Sequence, residues 1–273
     1  MPITVYKNDN GHFTNVTREL GLDRLTGWWN SVTGADFDHD GDTDYVLGNM
    51  GMNSRYKPTP EEPLQLYAKD YDQNASLDPI MTYFTQGEQQ IVHSRDELIA
   101  QLPFMRKRFP RYAEFASADF SGIFTEADLE KAYVLRAEVF ESSYLQNEGG
   151  GKFSLRPLPL RAQFAPVCGM AAMDVDDDGN LDIVAVGDSY ATEISLGRYD
   201  ASYGCVLRGD GAGNFKAVSP LQSGFVVTGD SKGLATVVDG HGDAITLVTQ
   251  NAGPLEAFRH SHNGDYIRLE PQD

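Results

Sequence analysis

The stretch DFDHDGDTD, residues 36–44, places five aspartates in nine residues directly before the apolar run YVL. Two later stretches repeat the design, DYDQNASLD at 70–78 and DVDDDGNLD at 174–182. Aligned on their first residue, all three carry an oxygen-bearing side chain at positions 1, 3, 5 and 9. The sets are Asp36, Asp38, Asp40 and Asp44; Asp70, Asp72, Asn74 and Asp78; and Asp174, Asp176, Asp178 and Asp182. Position 7, placed to offer its backbone carbonyl, is Asp42, Ser76 and Asn180, and the turn position 6 is Gly41, Ala75 and Gly179. Alternating carboxylates on a tightly turning loop can converge on one hard cation. Calcium takes six to eight oxygens at roughly 2.3–2.6 Å, and glycine permits the sharp turn. Without a cation the carboxylates repel and raise one another's pKa values. Oxygen-only donors argue against zinc and copper, and magnesium's strict octahedron makes it the poorer fit. The bland alternative is three solvated acidic turns, since Asp, Asn and Gly favour turns in any case. Three copies in one phase favour Ca2+, less firmly in the 70–78 loop, which has Ala75 for glycine and Asn74 for a carboxylate.

The elements that must hold these loops are strands. An EF-hand would need glutamate at position 12, where Leu47, Met81 and Ala185 stand, and each loop leads at once into a β-branched apolar run, YVLG, PIMTYF or IVAVG. Between the loops runs a second theme, YKNDNGHF at 6–13, YLQNEGGGKF at 144–153 and VLRGDGAGNF at 206–215, with a looser copy at 258–267. Each reads as a strand, a glycine turn and an aromatic that opens the next strand, which is hairpin chemistry. The alternation of loop and hairpin is a repeat pattern with units at about 13–66, 67–150, 153–209 and 215–262. In the last unit only Asp239 and Asp243 stand where a metal loop is expected. The fold expected is all-β, a β-propeller of four-stranded blades occupying 1–273.

One segment breaks the rhythm. Ser94 to Glu97 and Thr125 to Asp128 are capping boxes, and Leu129, Tyr133, Ala137 and Phe140 follow helical spacing, so 94–143 is read as a helical insertion with Pro103 limiting its first helix. Arg106, Lys107, Arg108 and Arg111 form the one concentrated basic patch, expected to be a solvated helix end or paired with carboxylates.

With 40 acidic against 22 basic residues and a net charge of −18, nucleic-acid backbone binding is excluded as an expectation. No stretch is apolar enough to span a bilayer, and the N-terminal sequence lacks a secretory signal pattern. Cys168 and Cys205 could pair or stand as separate thiols. His12, His39, His93, His241, His260 and His262 form no ligand motif, and His260 and His262 read as surface residues. Of Trp28 and Trp29, one is expected in the core and the other near a surface where it could stack on a sugar or peptide.

These loops and glycine-phenylalanine turns resemble the FG-GAP/VCBS-type calcium-binding repeats seen in integrin α chains. GWWNSVTGADFDHDGDTDYVLGNMGMN at 27–53 and QNAGPLEAF at 250–258 resemble more closely large secreted bacterial proteins that join such repeats to an ASPIC/UnbV-type C-terminal domain. The resemblance implies a seven-bladed propeller of which about four units are present, calcium at positions 1, 3, 5 and 9, and an extracellular or cell-surface setting for a chain that is a fragment of a larger protein. It implies a non-catalytic binding or adhesion module whose partner is a protein or carbohydrate. The alternative is a carbohydrate-active or lyase-type propeller enzyme, marked by a buried carboxylate unused by metal and facing Trp28 or Trp29.

Overall fold

The computed structural model describes residues 1–193, 196–261 and 265–269; His262 lies outside them. The chain forms two compact units, one from residues 1–2, 25–27 and 56–139, the other from 3–24, 28–55 and 140–273. The described residues are mostly β, with four four-stranded antiparallel sheets, one two-stranded hairpin and a group of short helices.

Three of the sheets belong to the larger unit. Sheet I runs Ser31–Ala35, Asp44–Gly48, Ser143–Asn147, Phe153–Pro157. Sheet II runs Gly169–Met173, Asp182–Val186, Cys205–Gly209, Phe215–Val218. Sheet III runs Ser231–Val238, Ala244–Gln250, Glu256–His260, Tyr266–Leu269. Each is a meander in chain order, and in each the acidic segment joins strands one and two. The period-2 alternation of strand side chains fixes how the sheets pack. Ile183, Ala185, Cys205 and Leu207 face one side of sheet II, in a cluster with Val46 and Tyr144 of sheet I. Val184, Val186 and Val206 face the other side, in a cluster with Val248, Phe258 and Tyr266 of sheet III. Sheet II is therefore buried on both faces, which is why IVAV is continuously apolar where a half-exposed strand would alternate.

The hairpin Tyr6–Asp9 and His12–Asn15 is exposed along both strands. Asn10 and Gly11 turn it at φ +51° and +91°, the left-handed pair a two-residue hairpin demands. It repeats the outer two strands of sheets I and II, the glycine-turn hairpins read in the sequence. The outer strands of sheet III pair in the same way, and the turn of that looser copy lies outside the described residues.

The chain leaves sheet I after Gly48 and re-enters it at Ser143, and the smaller unit is built mainly from the intervening segment. Its sheet has the order Glu88–Ile91, Asp78–Thr85, Leu64–Lys69, Tyr133–Ala137. Five short helices follow its third strand, from Arg95–Gln101 to Glu126–Leu129, with Leu98, Leu102, Met105, Phe120, Ile123 and Phe124 packed on Ile80 and Ile91. Both capping boxes form: Glu97 accepts from Ser94 N at 2.7 Å, and Asp128 accepts from Thr125 N at 2.8 Å.

Two boundaries differ from the sequence reading. Strand Ser143–Asn147, within the 67–150 period by chain order, is the third strand of sheet I. Tyr133–Ala137, read as helix within 94–143, is a strand paired with Leu64–Lys69. The helix before it stops at Leu129, and Lys131 at φ +63° turns the chain out. YVLRA then satisfies its backbone in the sheet, because tertiary pairing outweighs a helical spacing of four apolar positions. Of the basic patch, Arg108 donates to Ile123 O at 2.8 Å and to Asp128 at 3.0 Å, so it ties the helices together. His260 is half-buried, its ring on the Val175 carbonyl and against Tyr266, contrary to the surface expectation. Cys168 and Cys205 are both free thiols.

Candidate metal centres

Each acidic loop closes through one repeated set of backbone hydrogen bonds. The position-1 aspartate accepts from the position-6 N–H: Gly41 to Asp36 at 3.1 Å, Ala75 to Asp70 at 2.9 Å, Gly179 to Asp174 at 2.9 Å. The position-5 side chain accepts from the position-7 N–H: Asp42 to Asp40 at 2.8 Å, Ser76 to Asn74 at 2.7 Å, Asn180 to Asp178 at 2.8 Å. The position-9 carboxylate accepts from position 2, at 3.3 Å from Phe37, 3.1 Å from Tyr71 and 2.8 Å from Val175. The backbone is left-handed at position 6, with φ of +91°, +67° and +87°, and also at position 4, with His39, Gln73 and Asp177 at +62°, +60° and +57°. With these two reversals, the carboxylates of positions 1 and 3 come together in all three loops, joined by position 5 in loop 36–44 and by position 9 in the other two.

Oxygens of Asp36, Asp38 and Asp40 lie within 4.8 Å of one another, as do those of Asp70, Asp72 and Asp78, and those of Asp174, Asp176 and Asp182. Two oxygens bound to one calcium at roughly 2.3–2.6 Å stand at most about 5 Å apart, so this spacing suits a shared divalent cation. At 4.8 Å two bare carboxylates repel by about 1 kcal/mol in water and about 3.5 kcal/mol at an effective dielectric of 20. Asp36 Oδ1 and Asp176 Oδ1 are buried without a hydrogen-bond partner, as an oxygen kept for a cation would be. The three clusters could hold a divalent ion, and the donors are hard oxygens throughout.

Position 9 has a second task that the spacing did not reveal. Asp44 and Asp182 are fully buried. Asp44 accepts from Asn147 N at 2.8 Å and from the Tyr144 hydroxyl at 2.5 Å, while Asp182 accepts from Gly209 N at 2.8 Å. Each carboxylate thus pins its loop to the third strand of its own sheet. Burial, with Asp176 and Asp178 adding, pushes Asp182 up to about 6 against the pull of its two N–H donors. Burial and the Asp44 carboxylate push the Tyr144 hydroxyl up as well. In the smaller unit, Glu88–Ile91 pairs with the preceding strand Asp78–Thr85 only as far back as Thr82, and Asp78 has no third-strand donor among the described residues.

The third strand also supplies a side chain to position 3, and it differs from sheet to sheet. In sheet I, Gln146 donates to Asp38 at 2.6 Å. In sheet II, Arg208 pairs with Asp176 at 3.1 Å. In sheet III, Arg259 stands 3.7 Å from Asp239 and 3.6 Å from Asp243, so a guanidinium spans the two carboxylates of the degenerate loop. Loops I and II meet where the His39 ring lies 3.2 Å from Asn180 Oδ1.

A second feature of the larger unit is a cleft of about 510 Å3 lined by Trp28, Asp188, Tyr199 and Lys232 among others. Trp28 packs on Phe140 with ring centroids 4.8 Å apart, leaving it half-buried at the cleft wall. Asp188 is 2% exposed. Burial pushes it up to about 7, with Asp200 and Asp230 adding and a backbone N–H from Ser202 and the Lys232 charge opposing. Asp188 belongs to no motif, so nothing in the local sequence marks it.

Residues 1–47 match the FG-GAP-like repeat family, a span that holds the N-terminal hairpin, the first strand of sheet I and the whole of loop 36–44. No curated protein matches the chain.

Proposed function

We propose that the chain is part of a calcium-stabilised β-propeller acting as a non-catalytic extracellular or cell-surface binding module for a protein or carbohydrate partner. The observation that carries this reading is the recurrence of one hydrogen-bonded cage in three loops, each converging carboxylates within 4.8 Å. Side-by-side packing of sheets I–III, and the FG-GAP-like match, support blades of a repeat protein. The ligands assigned to Ca2+ are the side chains at positions 1, 3, 5 and 9 of each loop, with position 7 (Asp42, Ser76, Asn180) giving its carbonyl. The ion would neutralise the converged carboxylates and tie the two strands of each loop together. No helix among the described residues is long and apolar enough to cross a membrane.

Calorimetric titration of the metal-stripped protein tests the assignment: two or three calcium ions per chain are expected, with Asp36→Asn and Asp174→Asn each removing one. Fewer than two sites in the unaltered protein, or no site lost in either variant, would refute it.

A second reading, a carbohydrate-active or lyase-type enzyme, is favoured by one observation, the buried Asp188 carboxylate in a cleft walled by Trp28. Glycoside hydrolysis ordinarily needs a pair of carboxylates across the bond. The other carboxylate lining the cleft is the exposed Glu193, so binding without turnover is the stronger reading. Release of nitrophenol from aryl glycosides, abolished by Asp188→Asn, would reverse that order.

A further inference from the structure

The Asp188 cleft holds a charge that the fold does not balance. Asp188 stands two residues past the second strand of sheet II, and the one hydrogen bond to its carboxylate among the described residues is a long one, from Ser202 N at 3.4 Å to Oδ1. Among the described residues its other oxygen has no donor, and no cation lies within ion-pair distance of the carboxylate. The nearby Lys232 is already engaged: its ammonium pairs with Asp230 at 2.7 Å and bonds the backbone carbonyl of Asp188. Asp230 and Lys232 cancel, so the Asp188 carboxylate is left as a buried negative charge facing the cleft. Nor does closing a strand end require the charge. In sheets I and III the neutral Asn49 and Asn251 stand just past the second strand, one residue earlier than Asp188 does, and their amides donate to Glu141 O and to Asp230. A buried carboxylate without a partner costs several kcal/mol relative to a paired one. The walls beside it are apolar and aromatic, with Trp28, Leu196 and Tyr199. The volume, about 510 Å3, is that of a small-molecule site.

We propose that this cleft binds a small organic ammonium ion, its charged head on the Asp188 carboxylate and its apolar body against Trp28 and Tyr199. Such a ligand supplies the missing counter-charge and donors together, and an aromatic face attracts a cation as well as an apolar surface. A neutral sugar would leave the charge uncompensated, and an anion would add to it. The inference deepens the binding-module reading and rests on it, but not on the metal loops.

The test uses the calcium-saturated protein at pH 8, with benzylamine as the probe and tryptophan fluorescence as the readout. Benzylamine is expected to bind saturably, and benzyl alcohol, the same body without the charge, at least about tenfold more weakly. Asp188→Asn should weaken benzylamine by at least about tenfold, while the melting temperature at pH 8 stays the same or rises as a buried charge is removed and its response to calcium is unchanged. Equal binding of benzyl alcohol, tighter binding of methyl glucoside, or no saturable response to benzylamine would overturn the proposal. If Asp188→Asn fails to fold, the comparison of amine with alcohol on the unaltered protein decides alone. A calcium response that persists while amine binding fails would tell against the cleft and leave the scaffold reading standing.

Discussion

At position 6 of each loop the backbone is left-handed, and the three loops answer that demand unequally. Gly41 and Gly179 have open space where a Cβ would sit, so the cost of alanine there is conformational alone. Gly41→Ala or Gly179→Ala should each lower stability by about 1 kcal/mol in denaturant unfolding. Ala75 already bears this strain at φ +67°, and Ala75→Gly should raise stability by up to about 1 kcal/mol. An unchanged midpoint in all three variants would contradict the loop geometry. The glycine at position 6 was legible in the sequence because only glycine takes that turn cheaply. The equal demand at position 4 was not, since His39, Gln73 and Asp177 share no chemical type that spells it out. Position 9 was read as a metal ligand from its carboxylate. Its hydrogen bonds to a strand about a hundred residues away in sheet I, from Asn147 and Tyr144 to Asp44, are invisible to local spacing.

At the level of the strand, the residue that faces position 3 grades the demand for a cation. Gln146 is neutral, Arg208 brings one positive charge to Asp176, and Arg259 bridges the two acidic groups left in sheet III. A guanidinium and a calcium ion compete for the same carboxylates. Arg208→Gln should therefore tighten calcium at loop 174–182 by about three- to tenfold, a modest gain because the pair is partly exposed. Calorimetry at the site that Asp174→Asn abolishes would measure it; unchanged or weaker affinity would show that Arg208 does not compete. The hairpins and loop-to-strand transitions were readable because turn glycines and β-branched runs act locally. The placement of Ser143–Asn147 in sheet I and of Tyr133–Ala137 beside Leu64–Lys69 was not, because strand partners are chosen across long separations. Four apolar residues at helical spacing suggested a helix that Lys131 ends one turn after it begins.

The whole molecule carries a net charge of −18, and part of that charge is held where burial resists it. Asp182 and Asp188 are raised from the ordinary carboxylate range to about 6 and about 7, burial being the first cause in each. A folded-state pKa above the unfolded value gives stability that is full below about pH 4 and is lost as pH rises through 6 to 7. The carboxylates whose pKa values are lowered, such as Asp128 and Asp230, change charge below that window and do not offset it between pH 5 and 7.5. His93, lowered by burial, gains stability as pH rises over part of this window and offsets one of the two carboxylates. Metal-stripped protein should thus melt modestly lower at pH 7.5 than at pH 5, and calcium should remove the share that belongs to Asp182. A melting temperature that rises with pH in chelator would contradict this assignment.

The most direct measurement is thermal unfolding of metal-stripped protein titrated with calcium at neutral pH, with magnesium in parallel. Two or three sites filled to about a hundred times their dissociation constants stabilise by several kcal/mol, so calcium should raise the melting temperature by about 10 °C or more. Magnesium, held to an octahedron and reluctant to shed water, should do far less. An unchanged melting temperature, or an equal rise with magnesium, would contradict a calcium-stabilised scaffold.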